Sequence, residues 1–262
     1  MRILAIGDIV GSPGRRIFAY TVTRMKQKGE VDFVVVNGEN AAGGSGITPP
    51  LVDELLAAGA DVLTLGDHTW DQKEIIPYLN KETPVIRPAN FHSSCPGQGW
   101  ITLRLKNATV TIVSIIGRVF MQPHDSPFHT MDKILQKKSE LGNIILVDVH
   151  AEATSEKVAL GRYIDGRVTA VWGTHTHVQT ADEAILPKGT AYISDLGMTG
   201  PKDSILGRDV DPVLNRFLTG MPSRFTVAKN SVSQINGILL DVDEHTGKAR
   251  SIKRMQEVMG EP

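Results

Sequence analysis

Residues 168–177 read Val-Thr-Ala-Val-Trp-Gly-Thr-His-Thr-His. The apolar first half of this segment is typical of a buried strand, and two imidazoles, His175 and His177, follow where the strand is expected to end. Two neutral imidazoles at this spacing can hold metal ions. Histidines two residues apart also occur on exposed strand ends, so the pair alone leaves both interpretations equally open.

Four other apolar runs of the chain also end in residues that can bind metal. These are Asp8 after residues 3–6, Glu39 after residues 33–36, Asp67 and His68 after residues 62–65, and His150 after residues 144–149. Each alone is more typical of a turn or of a core histidine. Open α/β sheets carry their sites at the carboxyl ends of strands, so we expect these side chains to converge.

Composition sets wide limits on the class of protein. The chain has 262 residues, of which 41% are hydrophobic and 22% charged, which is typical of a globular protein, and we expect one domain over residues 1–262. With 28 basic against 29 acidic residues, no overall electrostatic field attracts a polyanion, and we expect no stable nucleic-acid binding.

The single cysteine, Cys95, excludes an internal disulfide and fits a reducing compartment. No apolar run has the length of a signal peptide or membrane span, so we expect a cytoplasmic protein.

Apolar runs that alternate with helical patterns predict an α/β fold with a mainly parallel sheet. We expect further strands at residues 143–149, 168–172 and 191–194. Helices are predicted over about residues 15–28, 49–58, 71–79 and 130–139, the second of them capped by Thr48. Residues 100–105 and 110–116 form a predicted hairpin, and residues 234–242 and 249–255 predict a second, C-terminal β-hairpin. Residues 117–128 and 197–208 are predicted to be loops.

The strand-end residues form a mixed ligand set suited to iron, manganese or zinc. It contains three carboxylates and three imidazoles, namely Asp8, Glu39, Asp67, His150, His175 and His177. Six ligands exceed what one tetrahedral zinc needs, so two metal ions sharing a bridging carboxylate are more natural, with Glu39 as the expected bridge. The Asn40 oxygen either joins this site or stabilises a turn.

Two metal ions about 3.5–4 Å apart can activate a water molecule and neutralise the charge of a phosphoryl group. Phosphoester hydrolysis is therefore the expected chemistry. His68, next to a predicted ligand, is expected to face the substrate and to protonate the leaving alkoxide as general acid. The glycine-rich residues 41–48 either approach a phosphate with backbone N–H groups or form a plain connection. The sequence identifies no substrate-binding side chain.

Several segments together resemble a known family. Residues 7–8, 37–40, 66–68, 150 and 173–177 resemble a variant of the calcineurin-like metallophosphoesterase pattern. More closely, residues 39–44, 150–157 and 173–180 resemble the YmdB-like bacterial phosphodiesterases, over essentially the whole chain. This resemblance implies a metallophosphoesterase-like four-layer α/β sandwich with two metal ions, iron above all. It also implies hydrolysis of cyclic nucleotides, 2′,3′-cyclic monophosphates foremost, by attack of a metal-bound hydroxide.

The resemblance also implies which residues hold which metal ion. One ion would be held by Asp8, Glu39, Asn40 and His177, and the other by Glu39, Asp67, His150 and His175, with His68 as general acid. The wider superfamily has Asp-x-His where this chain has Asp8-Ile9-Val10, a departure that the YmdB-like branch shares. The family pattern Gly-Asn-His is here Gly66-Asp67-His68. Because a carboxylate adds negative charge, we expect Asp67 to keep metal binding but to alter metal preference or turnover.

Two other functions fit the same residues. A phosphomonoesterase or 5′-nucleotidase would use the same metal ions with a different pocket. A metal-bound regulatory protein with little catalysis would instead meet partners through a surface such as residues 194–201, although an ordinary turn-rich loop is the more common role of such a segment. Assembly into a homo-oligomer is compatible with the resemblance.

Overall fold

Two β-sheets stack face to face in this protein, and helices cover their outer faces. A computed structural model describes residues 1–229 and 232–260. In chain order the elements are β1 (Arg2–Ile6), β2 (Asp8–Ile9), α1 (Gly11–Gln27), β3 (Phe33–Asn37), α2 (Pro49–Ala57), β4 (Val62–Thr64), α3 (Ile75–Leu79), β5 (Val85–Ile86), β6 (Trp100–Arg104), β7 (Thr109–Ile116), α4 (Pro127–Leu135), β8 (Ile144–His150), α5 (Thr154–Tyr163), β9 (Ala170–Thr174), β10 (Ala184–Ile185), β11 (Ala191–Ile193), β12 (Met198–Pro201), α6 (Val210–Thr219), β13 (Val232–Val242) and β14 (Ala249–Gly260).

The first sheet has the strand order β2-β12-β13-β1-β3-β4-β5, with β14 paired to β13, and the second has the order β10-β11-β9-β8-β7-β6. Strands β1, β3, β4 and β5 run parallel, as do β7, β8, β9 and β11. Antiparallel strands complete both sheets: β13 beside β1, and the edge strands β6 and β10. Parallel pairings outnumber antiparallel ones in both sheets, as predicted, but the strands form two sheets where the apolar runs alone predicted one.

Alternating side chains along the strands build the layers. In β1, Ile3 packs between the sheets with Trp172, whereas Leu4 points outward against α1, where it joins Phe18. The outer face of the second sheet packs in the same way under α4 and α5. Because successive strand residues face opposite sides, each sheet buries both faces. The fold is therefore the expected four-layer α/β sandwich, and its C-terminal β-hairpin is confirmed by the pairing of β13 with β14.

Element boundaries differ from the predictions for local reasons. Helix α1 begins at Gly11, since a proline such as Pro13 is tolerated in a first helical turn. Helix α4 likewise begins early, at Pro127, where the Ser126 hydroxyl accepts the N–H of His129. The helix predicted over residues 71–79 is reduced to α3. Thr48 occupies the N-cap position of α2, but its side chain makes no capping hydrogen bond.

Residues 197–208 are not simply a loop, because they contain β12, which pairs with both β2 and β13. This short strand contains Gly200 and Pro201, residues that are typical of loops, and the sequence therefore did not predict it. The same finding removes residues 194–201 as a partner-binding surface, since all of them are buried. None of the helices in the described part of the chain combines the length and the apolarity that a bilayer crossing requires.

Candidate metal centre

All eight predicted site residues meet at the carboxyl ends of strands, and both sheets contribute. Asp8 lies in β2, while Glu39, Asn40, Asp67 and His68 follow β3 and β4 of the first sheet. His150 ends β8 of the second sheet, and His175 and His177 follow β9. The predicted convergence is therefore present, and it spans the seam between the two sheets.

One group of ligand atoms is compact. It consists of Glu39, Asp67, His150 and His175, whose ligand atoms all lie within 4.8 Å of one another. The Nε2 atom of His150 lies 2.8 Å from Asp67 Oδ1, 3.1 Å from Glu39 Oε1 and 3.0 Å from His175 Nδ1. Carboxylate oxygens and imidazole nitrogens at this separation could hold a metal ion.

A second group adjoins the first through Glu39. The side-chain nitrogen Nδ2 of Asn40 lies 3.3 Å from both Glu39 Oε1 and His177 Nε2, and His177 Nε2 lies 3.9 Å from Asp8 Oδ1. Asp8 is completely buried, and among the described residues its Oδ1 has no hydrogen-bond partner. Because a buried carboxylate oxygen without a partner is costly, a cation at this position would satisfy it.

The far nitrogens of the three imidazoles are hydrogen-bonded away from the site. His150 Nδ1 donates to the Thr174 hydroxyl at 3.0 Å, and His177 Nδ1 donates to the Leu206 carbonyl at 3.0 Å. His175 Nε2 lies 3.1 Å from a carboxylate oxygen of Glu152. Such partners fix the ring orientation and would leave the other nitrogen available to a bound metal ion, as is usual for metal-binding histidines.

The segment that carries His175 and His177 has an unusual backbone. Both residues have left-handed φ angles, 98° and 66°, which non-glycine residues adopt only where the surroundings enforce them. Asp195 holds the segment by accepting both the N–H and the hydroxyl of Thr176, at 3.2 and 2.7 Å. Lys157 binds the same carboxylate oxygen at 2.6 Å and is itself buried.

The charges of the site favour cation binding. Burial raises the pKa of Asp8. Burial also acts to raise the pKa of Glu39, but the charge of His150 and the hydrogen bonds from His150 and His68 outweigh it and lower that pKa to about 2. For Asp67 the hydrogen bonds from His150 and His175 likewise overcome burial and hold its pKa far below the usual range. Glu39 and Asp67 are therefore anionic at neutral pH.

Gly66 leaves the space in which the side chains of Glu39 and His150 approach each other. A Cβ atom at this position would lie 2.3 Å from the His150 ring and 2.4 Å from Glu39 Oε2. We expect Gly66→Ala to weaken metal binding by about 10- to 100-fold, because it displaces one ligand. Metal titration followed by calorimetry measures this. Gly260→Ala is the control, since a Cβ there meets nothing within 4 Å; equal affinities of the two variants would contradict the steric role.

A cavity of about 300 Å³ opens directly onto the site. Its polar floor includes Glu39, Asn40 and the proposed acid His68, and its apolar wall is formed by Leu206, Val213, Phe217 and Phe225. Arg208 also lines the cavity, and its guanidinium donates to the carbonyl groups of Gly43 and Gly44. A pocket with an apolar wall and a few polar groups is suited to a small organic phosphate.

Part of the glycine-rich segment uses its N–H groups locally: Ala42 donates to the carbonyl of Gly46, Gly43 to that of Ala41, and Gly44 to that of Asn40. These three N–H groups are therefore not free to bind a phosphate. The segment instead presents carbonyl groups to Arg208.

Sequence reasoning missed the supporting residues and the apolar wall. Glu152 and Lys157 lie within the segment 150–157 that carries the family resemblance, and their charges in that segment could have indicated a role in the site. The apolar wall of the cavity is formed by α6 and the residues on either side of it, and the pattern of polar residues at strand ends does not predict them.

Stacked sheets with these ligands at their seam define a metallophosphoesterase-type α/β sandwich. A family model described as "YmdB-like protein" matches residues 4–255, and the chain belongs to this family. It is 48% identical over 255 residues to a 2′,3′-cyclic-nucleotide 2′-phosphodiesterase of Bacillus subtilis, covering 97% of this chain and 96% of that protein.

Solved structures agree with the family assignment. A novel phosphatase from Mycoplasma pneumoniae superimposes with a TM-score of 0.93 at 34% identity, covering 100% of this chain and 95% of the other. A hypothetical protein from Thermus thermophilus superimposes with a TM-score of 0.92 at 42% identity, and each chain is covered completely. The fold and the family of this chain are thereby established.

Proposed function

We propose that this chain is a metal-dependent phosphodiesterase that hydrolyses 2′,3′-cyclic nucleotides. The observation that carries the proposal is the pair of ligand groups that share Glu39 and face the 300 Å³ cavity. The 2′,3′-cyclic-nucleotide 2′-phosphodiesterase activity of the Bacillus subtilis relative supports the substrate class, since nearly the full length of both proteins aligns.

The ligand groups fit two metal ions. Asp8, Glu39, Asn40 and His177 would hold one ion, and Glu39, Asp67, His150 and His175 the other. The unpartnered Asp8 oxygen and the outward hydrogen bonds of the imidazoles support this assignment. We propose iron, while the mixed oxygen and nitrogen set also accepts manganese and zinc. When bound, the two ions supply an activated water nucleophile and neutralise phosphate charge.

His68 is the proposed general acid. Its Nδ1 lies 3.3 Å from Glu39 Oε1, and its side chain is 34% exposed where it lines the cavity. The hydrogen bond to Glu39 raises the pKa of His68 to about 8, so the ring carries a proton at neutral pH. Water adds to phosphorus and releases one proton to the solvent, one cyclic P–O bond breaks, and the departing ribose oxygen takes a proton from His68, which is reprotonated from the solvent.

Metal analysis combined with a substrate panel tests the proposed function. We expect two metal ions per chain and release of a nucleoside monophosphate from 2′,3′-cyclic nucleotides, ahead of 3′,5′-cyclic nucleotides and linear phosphoesters. Preference for a 5′-nucleotide would instead assign a phosphomonoesterase. Metal-loaded protein without turnover on any phosphoester would overturn the enzymatic function and favour a regulatory protein.

His68→Ala is expected to lower kcat on a 2′,3′-cyclic nucleotide by about 10²- to 10⁴-fold while leaving the metal content unchanged. Hydrolysis of bis(p-nitrophenyl) phosphate should fall much less, because its leaving group needs no proton. The control His129→Ala removes an exposed imidazole on α4. An equal loss on both substrates would show that His68 does not act as the acid.

Asp67→Asn is expected to keep both metal ions and to raise kcat/KM by about tenfold, since it removes a negative charge that opposes an anionic substrate. Asn retains an oxygen toward the metal and so preserves a ligand. The paired measurements are metal content and turnover of a cyclic nucleotide, with the exposed Asp125→Asn as control. If Asp67→Asn has the same metal preference and the same kcat/KM as the parent protein, the expectation is wrong.

A further inference from the structure

A second and larger cavity lies beside the proposed active site. It has a volume of about 1100 Å³ and lies at the amino end of α1, between Gly43 and residues 224–229. Phe225 lines both cavities. The carbonyl of Gly43 accepts from Arg208, which lines the smaller one. The two cavities therefore adjoin each other at Phe225 and the glycine turn.

The larger cavity is lined by positive charge. Its basic residues are Arg15, Arg16, Arg224 and Lys229, and no carboxylate side chain is among its described lining residues. The charge of Arg15 is partly balanced by Glu54 at 3.0 Å, whereas Arg224 and Lys229 are exposed. The first turn of the 17-residue helix α1 holds no acidic residue, so the helix dipole adds to the positive potential. The whole chain has a net charge of −1, so the excess of positive charge is confined to this region of the surface.

The segment that carries Arg224 and Lys229 is anchored to the active-site wall. Asp209 N–H donates to Thr226 at 2.9 Å, and Ala228 N–H donates to Gly207 at 3.0 Å, on either side of Arg208. Val227 packs so closely against the start of α1 that a Cβ on Gly11 would lie 3.0 Å from it. The backbone between Arg224 and Lys229 is thus attached to the same segment that carries Arg208.

A cyclic mononucleotide leaves the larger cavity unused. The smaller cavity, at the lower end of the range of about 300–1,000 Å³ for small-molecule sites, has room for one nucleotide, and such a substrate carries one phosphate group. The basic cavity is suited to further phosphodiester groups linked to the first, and Phe225 between the cavities offers a ring on which a base can stack.

We propose that the substrate of this site is the 3′ end of a short RNA that terminates in a 2′,3′-cyclic phosphate. The terminal nucleotide occupies the smaller cavity, and the preceding phosphates contact Arg224 and Lys229. The proposal rests on the proposed function, and its chemistry is the same: water adds to the terminal phosphorus, one cyclic P–O bond breaks, the ribose oxygen gains a proton, and the RNA ends in a phosphomonoester. A few phosphate contacts suffice for turnover without a stable nucleic-acid complex.

Kinetics on matched substrates test the proposal. At low salt we expect kcat/KM for a five-nucleotide RNA ending in a 2′,3′-cyclic phosphate to exceed that for 2′,3′-cyclic AMP by about tenfold or more. The advantage should shrink as salt rises, with a logarithmic slope of about −0.7 per phosphate contacted. Arg224→Ala/Lys229→Ala should lower kcat/KM for the RNA by about tenfold and reduce the salt slope. Arg104→Ala/Lys106→Ala, a matched exposed pair beside the β6–β7 turn, should change neither.

The failure of this proposal differs from failure of the proposed function. Equal kcat/KM for the RNA and for 2′,3′-cyclic AMP in the parent protein would overturn it while leaving the phosphodiesterase in place, as would an equal loss on both substrates in the double variant. If neither substrate is hydrolysed, the proposed function fails. In that case the affinity for a labelled RNA that ends in a 3′-phosphate is measured by fluorescence anisotropy. Equal affinities of the parent and of Arg224→Ala/Lys229→Ala would overturn the proposed binding of RNA in the basic cavity.

Discussion

Replacing Glu39 by glutamine is expected to lower the metal content from two ions to fewer than one per chain. Glu39 is the carboxylate common to both ligand groups, because its Oε1 lies 3.1 Å from His150 Nε2 and 3.3 Å from the Asn40 amide. An amide is neutral, and its nitrogen cannot serve as a ligand. We expect kcat/KM on a cyclic nucleotide to fall by about a thousandfold, which corresponds to about 4 kcal/mol of transition-state stabilisation.

Glu156→Gln provides the matched control for Glu39→Gln. Glu156 is also buried, but it is not among the proposed ligands, and its carboxylate accepts the backbone N–H groups of Arg118 and Val119 in the loop after β7. Metal content measured by mass spectrometry should be normal in this variant. A Glu39→Gln protein that retains two ions per chain would show that the ions do not share this residue.

Lys157→Met is expected to lower the free energy of unfolding by about 3–5 kcal/mol, the usual cost of breaking a buried ion pair by removing one partner. Lys157 and Asp195 are each 2% exposed, with Nζ and Oδ2 2.6 Å apart. Loss of the ammonium leaves a buried carboxylate and removes the donor to the Thr174 carbonyl. Because Asp195 also holds Thr176, the residue between His175 and His177, we expect both histidines to bind metal more weakly in this variant.

Urea unfolding of the metal-free proteins separates the fold from the site. Lys26→Met is the comparison, since Lys26 makes an ion pair of similar length with Asp61, at 2.8 Å, but both side chains are 31% exposed. A partly exposed pair contributes less than about 1 kcal/mol. If Lys157→Met and Lys26→Met lose the same stability, burial does not amplify the Lys157–Asp195 interaction.

The strand-end pattern predicted the positions of the site residues well because it rests on one geometric fact. Parallel strands of a sheet end at a common edge, so Glu39 and Asp67 of one sheet and His150 of the other could be placed together from local sequence alone. The periodicity of apolar residues likewise located most buried strands. The four-layer arrangement followed from the family resemblance rather than from this pattern.

The rest depended on contacts between distant segments. Strand β12 is short and contains Gly200 and Pro201, so no local pattern identifies it, and only its pairing with β2 and β13 makes it a strand. The Lys157–Asp195 pair joins residues 38 apart in sequence. The apolar wall of the cavity combines α6 with Phe225, and neither carries a chemical signature of its own.

The division of the proposed ligands between the two sheets means that bound metal ions would cross-link the tertiary structure. Neither sheet alone offers a complete coordination shell, because Asp8 and Glu39 belong to one and His150 and His175 to the other. A folding intermediate with only one sheet formed would therefore have little affinity for metal, and the ions would not act as a template for folding. They would instead bind the folded protein and stabilise it by mass action.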